Sequence, residues 1–242
     1  MAKQNIIYGR AVPVNTQAHK DVSVEITDTY AFAKHVNTVP IVAAEFTASS
    51  ADLVIVFTGS EGAIFPSVLL GVESDQNEFI DEDGLWTGKY VPAFLRRYPF
   101  VFAQSPEEDQ LVLCIDEEFE GVNSDGVGER LFDSDGERTQ YLENKLQFSA
   151  QYQNQHLQTK IFCARLLELG LLEPAVANFM GDASQPRRLS GFFRINREKL
   201  KAIAPETLTM MFNNDELELC YVHLQSFNNV DMLGLKSAAS SD

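Results

Sequence analysis

Two apolar runs of strand length, held apart by four turn residues, limit the possible folds of this chain more than any other feature. Leu53 to Thr58 (LVIVFT) and Ala63 to Val72 (AIFPSVLLGV) flank Gly59-Ser60-Glu61-Gly62. β-Branched and aromatic residues favour strands, and a short glycine-bounded turn joins antiparallel neighbours. A hairpin, and with it an antiparallel sheet, is expected. Phe100 to Ala103 and Leu111 to Ile115 repeat the pattern around a polar loop, Gln104 to Gln110. Ile6-Ile7-Tyr8 and Val12-Pro13-Val14 suit a strand near a sheet edge, where proline removes no ladder bond.

The later half changes period. Tyr141, Leu142, Leu146, Phe148, Tyr152, Ile161, Phe162, Leu166 and Leu169 recur at helical spacing. That predicts a helix from Thr139, a capping residue, to Gly170, which can end it in the left-handed conformation. Leu189 to Ile195 reads as a strand, and Gly181 to Arg188 as a polar loop. Asn196 can cap a helix over Arg197 to Ile203, and Pro205 can open another through Phe212. Glu216 to Phe227 is apolar enough for helix or strand; the spacing of Leu217, Cys220, Tyr221 and Leu224 favours helix. Gly121 to Gly136 reads as loop. Strands first and helices later imply an α+β fold, an antiparallel sheet in the N-terminal half packed by helices mainly from the C-terminal half. One domain over residues 1–236 is expected, with a small polar tail at 237–242.

Candidate chemistry concentrates between Asn77 and Phe102 (NEFIDEDGLWTGKYVPAFLRRYPFVF), which holds the only tryptophan. Asp81-Glu82-Asp83-Gly84 is an acidic turn, and Phe79-Ile80 with Leu85-Trp86 could be the arms of a short hairpin. Pro92 suits the start of a short helix over Ala93 to Arg97 that Pro99 ends. Two readings of this stretch stand side by side. In one, Trp86, Tyr90 and their aromatic neighbours are core or rim, and Arg96 and Arg97 bridge to carboxylates. In the other, Arg96 or Arg97 holds a small anionic ligand in a cleft walled by Trp86 and Tyr90, since guanidinium grips carboxylate or phosphate through two parallel bonds. Glu45 or Asp81 would then be the acid/base. Glu45 stands in an apolar run (VAAEF), where a carboxylate either moves protons or satisfies neighbouring donors.

Composition excludes several classes. Of 242 residues, 35 are Asp or Glu against 19 Lys or Arg, a formal charge of −16. Such a surface repels phosphate backbones and anionic lipid headgroups, so no nucleic acid and no membrane insertion are expected. An apolar fraction of 45% is ample for a core. No run approaches the ~20 apolar residues that span a bilayer. Met1 to Asn5 has one lysine and no apolar stretch, so no export signal is expected and the cytoplasm is the expected location. Cys114, Cys163 and Cys220 lie apart in apolar segments, as buried reduced thiols do.

Catalytic and metal patterns fail on spacing. A calcium loop with Gly84 sixth puts Phe79 first; with Gly136 sixth it puts Leu131 first and Leu142 twelfth. Asp81 with Asp83, or Asp133 with Asp135, could at most hold a casual divalent ion. His19-Lys20-Asp21 matches half of an iron facial triad, with His156 or His223 as a third ligand, against a surface histidine beside charged neighbours. No nucleophile elbow, phosphate loop or dinucleotide fingerprint occurs. Cys114 abuts Asp116, Glu117 and Glu118, whose charges blunt a thiol. Neither a metal nor a cofactor is expected.

The ordered segments VPIVAAEF, VIVFT, VLLGV, the Asn77–Phe102 stretch, LVLCIDEE, RLFDSDGERTQYLEN, ARLLELGLLEP, FFRINREKL and LELCYVHLQSFNNVDML resemble the bacterial SapC family from about Pro40 to Leu233. YVPAFLRRYPF, Tyr90 to Phe100, is the most specific of them. The resemblance implies gene neighbourhoods with TonB-dependent receptors and tryptophan-halogenase-like flavoproteins. It brings no catalytic residue with it. A membrane permease of the same label is excluded by the lack of a spanning run. The expectation for function is a non-catalytic accessory protein with a protein partner, its contact surfaces the amide-rich run Gln147 to Gln158 and the acidic face. A ligand binder or enzyme centred on Trp86, Tyr90, Arg96 and Arg97 is the alternative.

Overall fold

A computed structural model describes residues 7–60, 62–104, 110–179, 187–231 and 233. The tail 237–242, most of the loop 181–188 and most of the loop 104–110 fall outside them. The described strands are Ala11–Pro13 (β1), Ser23–Val24 (β2), Thr38–Pro40 (β3), Val54–Ser60 (β4), Ala63–Leu69 (β5), Phe100–Gln104 (β6), Leu111–Asp116 (β7), Val122–Asn123 (β8), Glu129–Arg130 (β9), Leu172–Phe179 (β10) and Arg187–Ile195 (β11). The helices are Thr16–His19 (α1), Phe46–Ser49 (α2), Ala93–Arg96 (α3), Gln140–Glu168 (α4), Arg197–Lys201 (α5), Pro205–Asn213 (α6) and Glu216–Ser226 (α7). Every strand pairing is antiparallel, and the fold is α+β.

The chain divides into two compact units. One comprises residues 1–29 and 95–154, the other 30–94 and 155–242.

In the first unit, β6 and β7 form the expected hairpin, and β1 adds to its edge in the order β1-β7-β6. Pro13 sits on that edge strand, opposite Cys114. Side chains alternate across a strand, so Phe100, Leu113 and Ile115 enter one core with Leu131, Phe132 and Leu142. Val101 and Cys114 point to the other face, against Tyr8. The segment expected as loop, Gly121 to Gly136, is in fact partly paired: β8 and β9 flank β2. Two-residue strands carry no periodicity for a sequence pattern to register.

The second unit holds the hairpin β4–β5 inside the order β10-β11-β4-β5-β3. Val54 through Phe57 are all fully buried, as a continuous apolar strand at the centre of a covered sheet should be. Two of the five strands come from the C-terminal half. β10 carries Pro174 and lies at the edge, where proline is tolerated. Phe46, Phe57 and Phe162 meet ring to ring, with centroids 6.2 to 6.5 Å apart.

Helix ends follow their signals. The Thr139 hydroxyl accepts from the Leu142 N–H at 3.3 Å. At the other end of α4, Gly170 has φ +62°, and the Leu171 N–H reaches back to the Leu166 carbonyl. The Asn196 side chain accepts from the Lys199 N–H and starts α5. Residues Glu216–Ser226, ambiguous by composition, are helical.

Candidate functional site

Glu45 ends the one-turn helix Ala43–Glu45 and is buried. Its carboxylate accepts at least three hydrogen bonds: Oε2 from the Val42 N–H at 2.8 Å, Oε1 from the Ala93 N–H at 2.7 Å and from the Tyr90 hydroxyl at 2.9 Å. An ionised carboxylate is acceptor-only, with room for about four donors. Glu45 therefore clamps the first N–H of α3 and the Tyr90 ring to the turn before α2. The apolar run around it explains its burial; the donors explain why burial is tolerated.

Asp81 works inside its own turn. Ile80 bridges Trp86, the Leu85 N–H donates to Asp81 Oδ1 at 2.7 Å, and Gly84 has φ +81°. The second acidic turn is built in the same way. Phe132 bridges Arg138, the Glu137 N–H donates to Asp133 Oδ1 at 2.9 Å, and Gly136 has φ +82°. Both glycines occupy the left-handed region, which Asp-x-Asp-Gly supplies at no steric cost. The same turn chemistry is used twice, once in each unit.

Trp86 stacks on Phe79 at 5.4 Å between centroids and meets Tyr30 edge-on at 6.1 Å. Its Nε1 is buried and donates no hydrogen bond within the described residues, and Asp52 Oδ1 accepts none. The other Asp52 oxygen accepts from the Lys89 N–H at 2.5 Å. Gly88 lies between these groups. A Cβ there would fall 2.7 Å from Trp86 Nε1, 2.9 Å from the Phe79 ring and 3.0 Å from Asp52 Oδ2. Gly88→Ala is expected to destabilise the protein by about 1–3 kcal/mol through overpacking. Trp86 is the only tryptophan, so its emission should shift in the folded variant, and urea titration measures the loss.

Arg96 and Arg97 belong to the first unit, and Glu45, Asp81, Trp86 and Tyr90 to the second. Arg96 ends α3 and Arg97 opens the turn that follows it, one residue short of the helix expected through Arg97. Arg96 is exposed, its guanidinium 5.4 Å from the Phe148 ring centroid. Arg97 is 5% exposed and lies over Tyr152 at 4.7 Å and Tyr8 at 5.7 Å. The Tyr8 hydroxyl donates to the Phe100 carbonyl at 2.9 Å. Burial pushes the Tyr8 pKa up to about 12, with the Arg97 charge pulling it the other way. Tyr98 donates to Asp116 at 3.2 Å, and the two Asp116 oxygens also accept from the Gly9 and Arg10 N–H groups. Of the six residues singled out by sequence, the structure joins Glu45 directly to Tyr90. Asp52, Gly88, Tyr8 and Tyr152 also line these contacts, and nothing in their spacing along the sequence marks them.

Three of the four histidines are packed against other side chains. His19 Nε2 faces the Glu117 carboxylate at 3.4 Å, yet burial holds its pKa below the ordinary value. His156 stacks on Phe65 at 4.5 Å. His223 is fully buried in α7 and accepts from the Ile195 N–H at 3.1 Å. Burial pushes the Cys163 and Cys220 thiols up to about 12 and raises Cys114, which leaves them poor nucleophiles. Among the described residues no three His, Cys, Asp or Glu side chains are grouped to hold a metal ion, and no helix is long and apolar enough to cross a membrane. In the first unit an open cleft of about 490 Å³ is lined by Val14, Asn15, Thr16, Phe132, Gly136, Glu137, Arg138 and Glu143. Across it Arg138 pairs with Glu143 at 3.3 Å.

These features define an α+β protein. The family model of SapC matches residues 14–233, and the chain belongs to the SapC family. No curated protein and no solved structure matches it.

Proposed function

We propose that this SapC-family chain is a non-catalytic cytoplasmic accessory protein that binds another protein. The observation that carries the reading is the use made of Glu45: its three hydrogen bonds tie elements of the fold together. Exposed apolar side chains supply contact surface. Leu157 and Ile161 lie one turn apart on α4, at the end of its amide-rich run. The family resemblance suggests a partner in pathways with TonB-dependent uptake and flavin halogenase-like enzymes. The test is co-purification of the tagged chain at its native level from source cells after mild cross-linking. A partner in stoichiometric amount is expected; none at any salt concentration would end the reading.

A second reading, a small anionic ligand held at Arg97, draws on the surroundings of that side chain within its own unit. A guanidinium buried against two tyrosine rings is an environment in which a charge-assisted bond is strong. Thermal-shift titration with di- and tricarboxylates and phosphates tests it. A stabilising anion whose effect disappears in Arg97→Met supports it, and a flat response across the panel discards it.

A further inference from the structure

We propose that the exposed flank of α6, with the acidic start of α7, docks a cationic amphipathic segment of a partner protein. The inference rests on the accessory-binding reading and names its surface and the partner's chemistry.

Met211 is the one fully buried residue of α6. Leu208 and Phe212, one turn apart and so on one flank, stay 39% and 68% exposed. Met210, on the opposite flank, and Tyr221 of α7 are also exposed. A lone exposed apolar residue needs no explanation. A nine-residue helix that leaves Leu, Met and Phe in water while burying only one methionine is less ordinary.

Charge selects the occupant. From Ala202 to Asp231 the sequence holds no lysine or arginine, while Glu206, Asp215, Glu216, Glu218 and Asp231 are acidic. Glu216 is neutralised within the fold by Arg165 at 2.8 Å. Glu206, Asp215 and Glu218 remain exposed. Asp215 stands at φ +61°, alone among the described non-glycine residues, and its carboxylate makes no capping bond to the helix it begins. Phe212 is thus followed within six residues by the exposed carboxylates Asp215 and Glu218, with Glu206 on the Met210 side of the helix and no lysine or arginine between Ala202 and Asp231. A second copy, pairing the same patch about a two-fold axis, would set these carboxylates against themselves. Anionic lipid and nucleic acid meet the same repulsion. A segment with leucine-like anchors flanked by Lys or Arg satisfies both features, and an amphipathic helix presents them at the matching spacing.

The probe is a fluorescein-labelled synthetic helix of leucine and lysine at heptad spacing, with its leucine–glutamate counterpart as control, read by anisotropy against the full chain. The lysine helix should bind and the glutamate helix should not. Leu208→Ser/Phe212→Ser should weaken binding about tenfold or more, as loss of an apolar anchor does. Asp215→Asn/Glu218→Gln should weaken it about threefold and flatten its salt dependence. Leu157→Ser/Ile161→Ser on α4 should leave it unchanged. Phe212→Gln, a single exposed change, guards against misfolding of the double variant. Equal affinity in the α6 variants overturns the proposal, as does a wild-type dimer that Leu208→Ser/Phe212→Ser makes monomeric. A stoichiometric cellular partner that survives the α6 substitutions refutes this surface while the accessory reading stands; no cellular partner at all fails that reading itself.

Discussion

Glu45→Ala is expected to lower the unfolding free energy by about 3–6 kcal/mol. The carboxylate takes two backbone N–H groups and one phenol, and the substitution removes both acceptor oxygens from a buried place and leaves all three donors without them. Each orphaned buried N–H costs about 1–3 kcal/mol, and bonds to a charged acceptor stand at the strong end. A domain with about 5–15 kcal/mol of stability would be brought close to unfolding. Tyr90→Phe removes one donor and leaves both backbone bonds intact, so about 1 kcal/mol is expected. Glu45→Gln separates explanations. Its carbonyl can serve one side of the clamp, while its NH2 would face an N–H on the other, donor against donor. Gln should therefore cost nearly as much as Ala. Urea unfolding followed by Trp86 emission measures all three, and a near-native Gln variant would show that the clamp does not need two acceptor oxygens.

Much of this was written locally. The β4–β5 hairpin, α4 with Thr139 and Gly170 at its ends, and the acidic turn at Asp81 depend on residues within a few positions of each other. Their spacing is enough to read them. Glu45 was marked by its apolar run, but its donors Tyr90 and Ala93 lie far along the chain, so its task could be stated only as alternatives. The Arg96-Arg97 pair shows another limit. The helix expected through Arg97 stops at Arg96, and sequence alone does not say which of the two turns inward; here it is Arg97, in the turn. Strands β8 and β9 stayed hidden because β2 pairs them two residues at a time. The burial of His223 depends on tertiary contacts: Phe57 comes from β4 and Ile195 ends β11, each distant in sequence.

That histidine sets the second large expectation, a loss of stability in acid. Nε2 accepts from the Ile195 N–H at 3.1 Å, so the neutral ring carries its proton on Nδ1, and protonation would turn an acceptor toward a donor. Phe57 at 4.9 Å and Phe227 at 5.3 Å surround the ring. Burial, helped by the Arg194 charge, pushes the pKa down to about 3 from 6.5. The unfolded chain takes up this proton near pH 6.5 and the folded chain does not. Stability from this group is therefore whole above pH 6.5, declines as pH falls toward about 3, and levels off below it. At about 1.36 kcal/mol per unit, the full window is worth on the order of 4–5 kcal/mol. His223→Gln can keep an acceptor for Ile195 and has nothing to protonate. It should cost about 1–2 kcal/mol at neutral pH, through lost ring contacts, and unfold over a flatter pH range. Urea midpoints for both proteins at steps between pH 7 and 4, converted with the measured m-values, give the difference directly. Parallel curves would mean that His223 is not the residue that resists protonation.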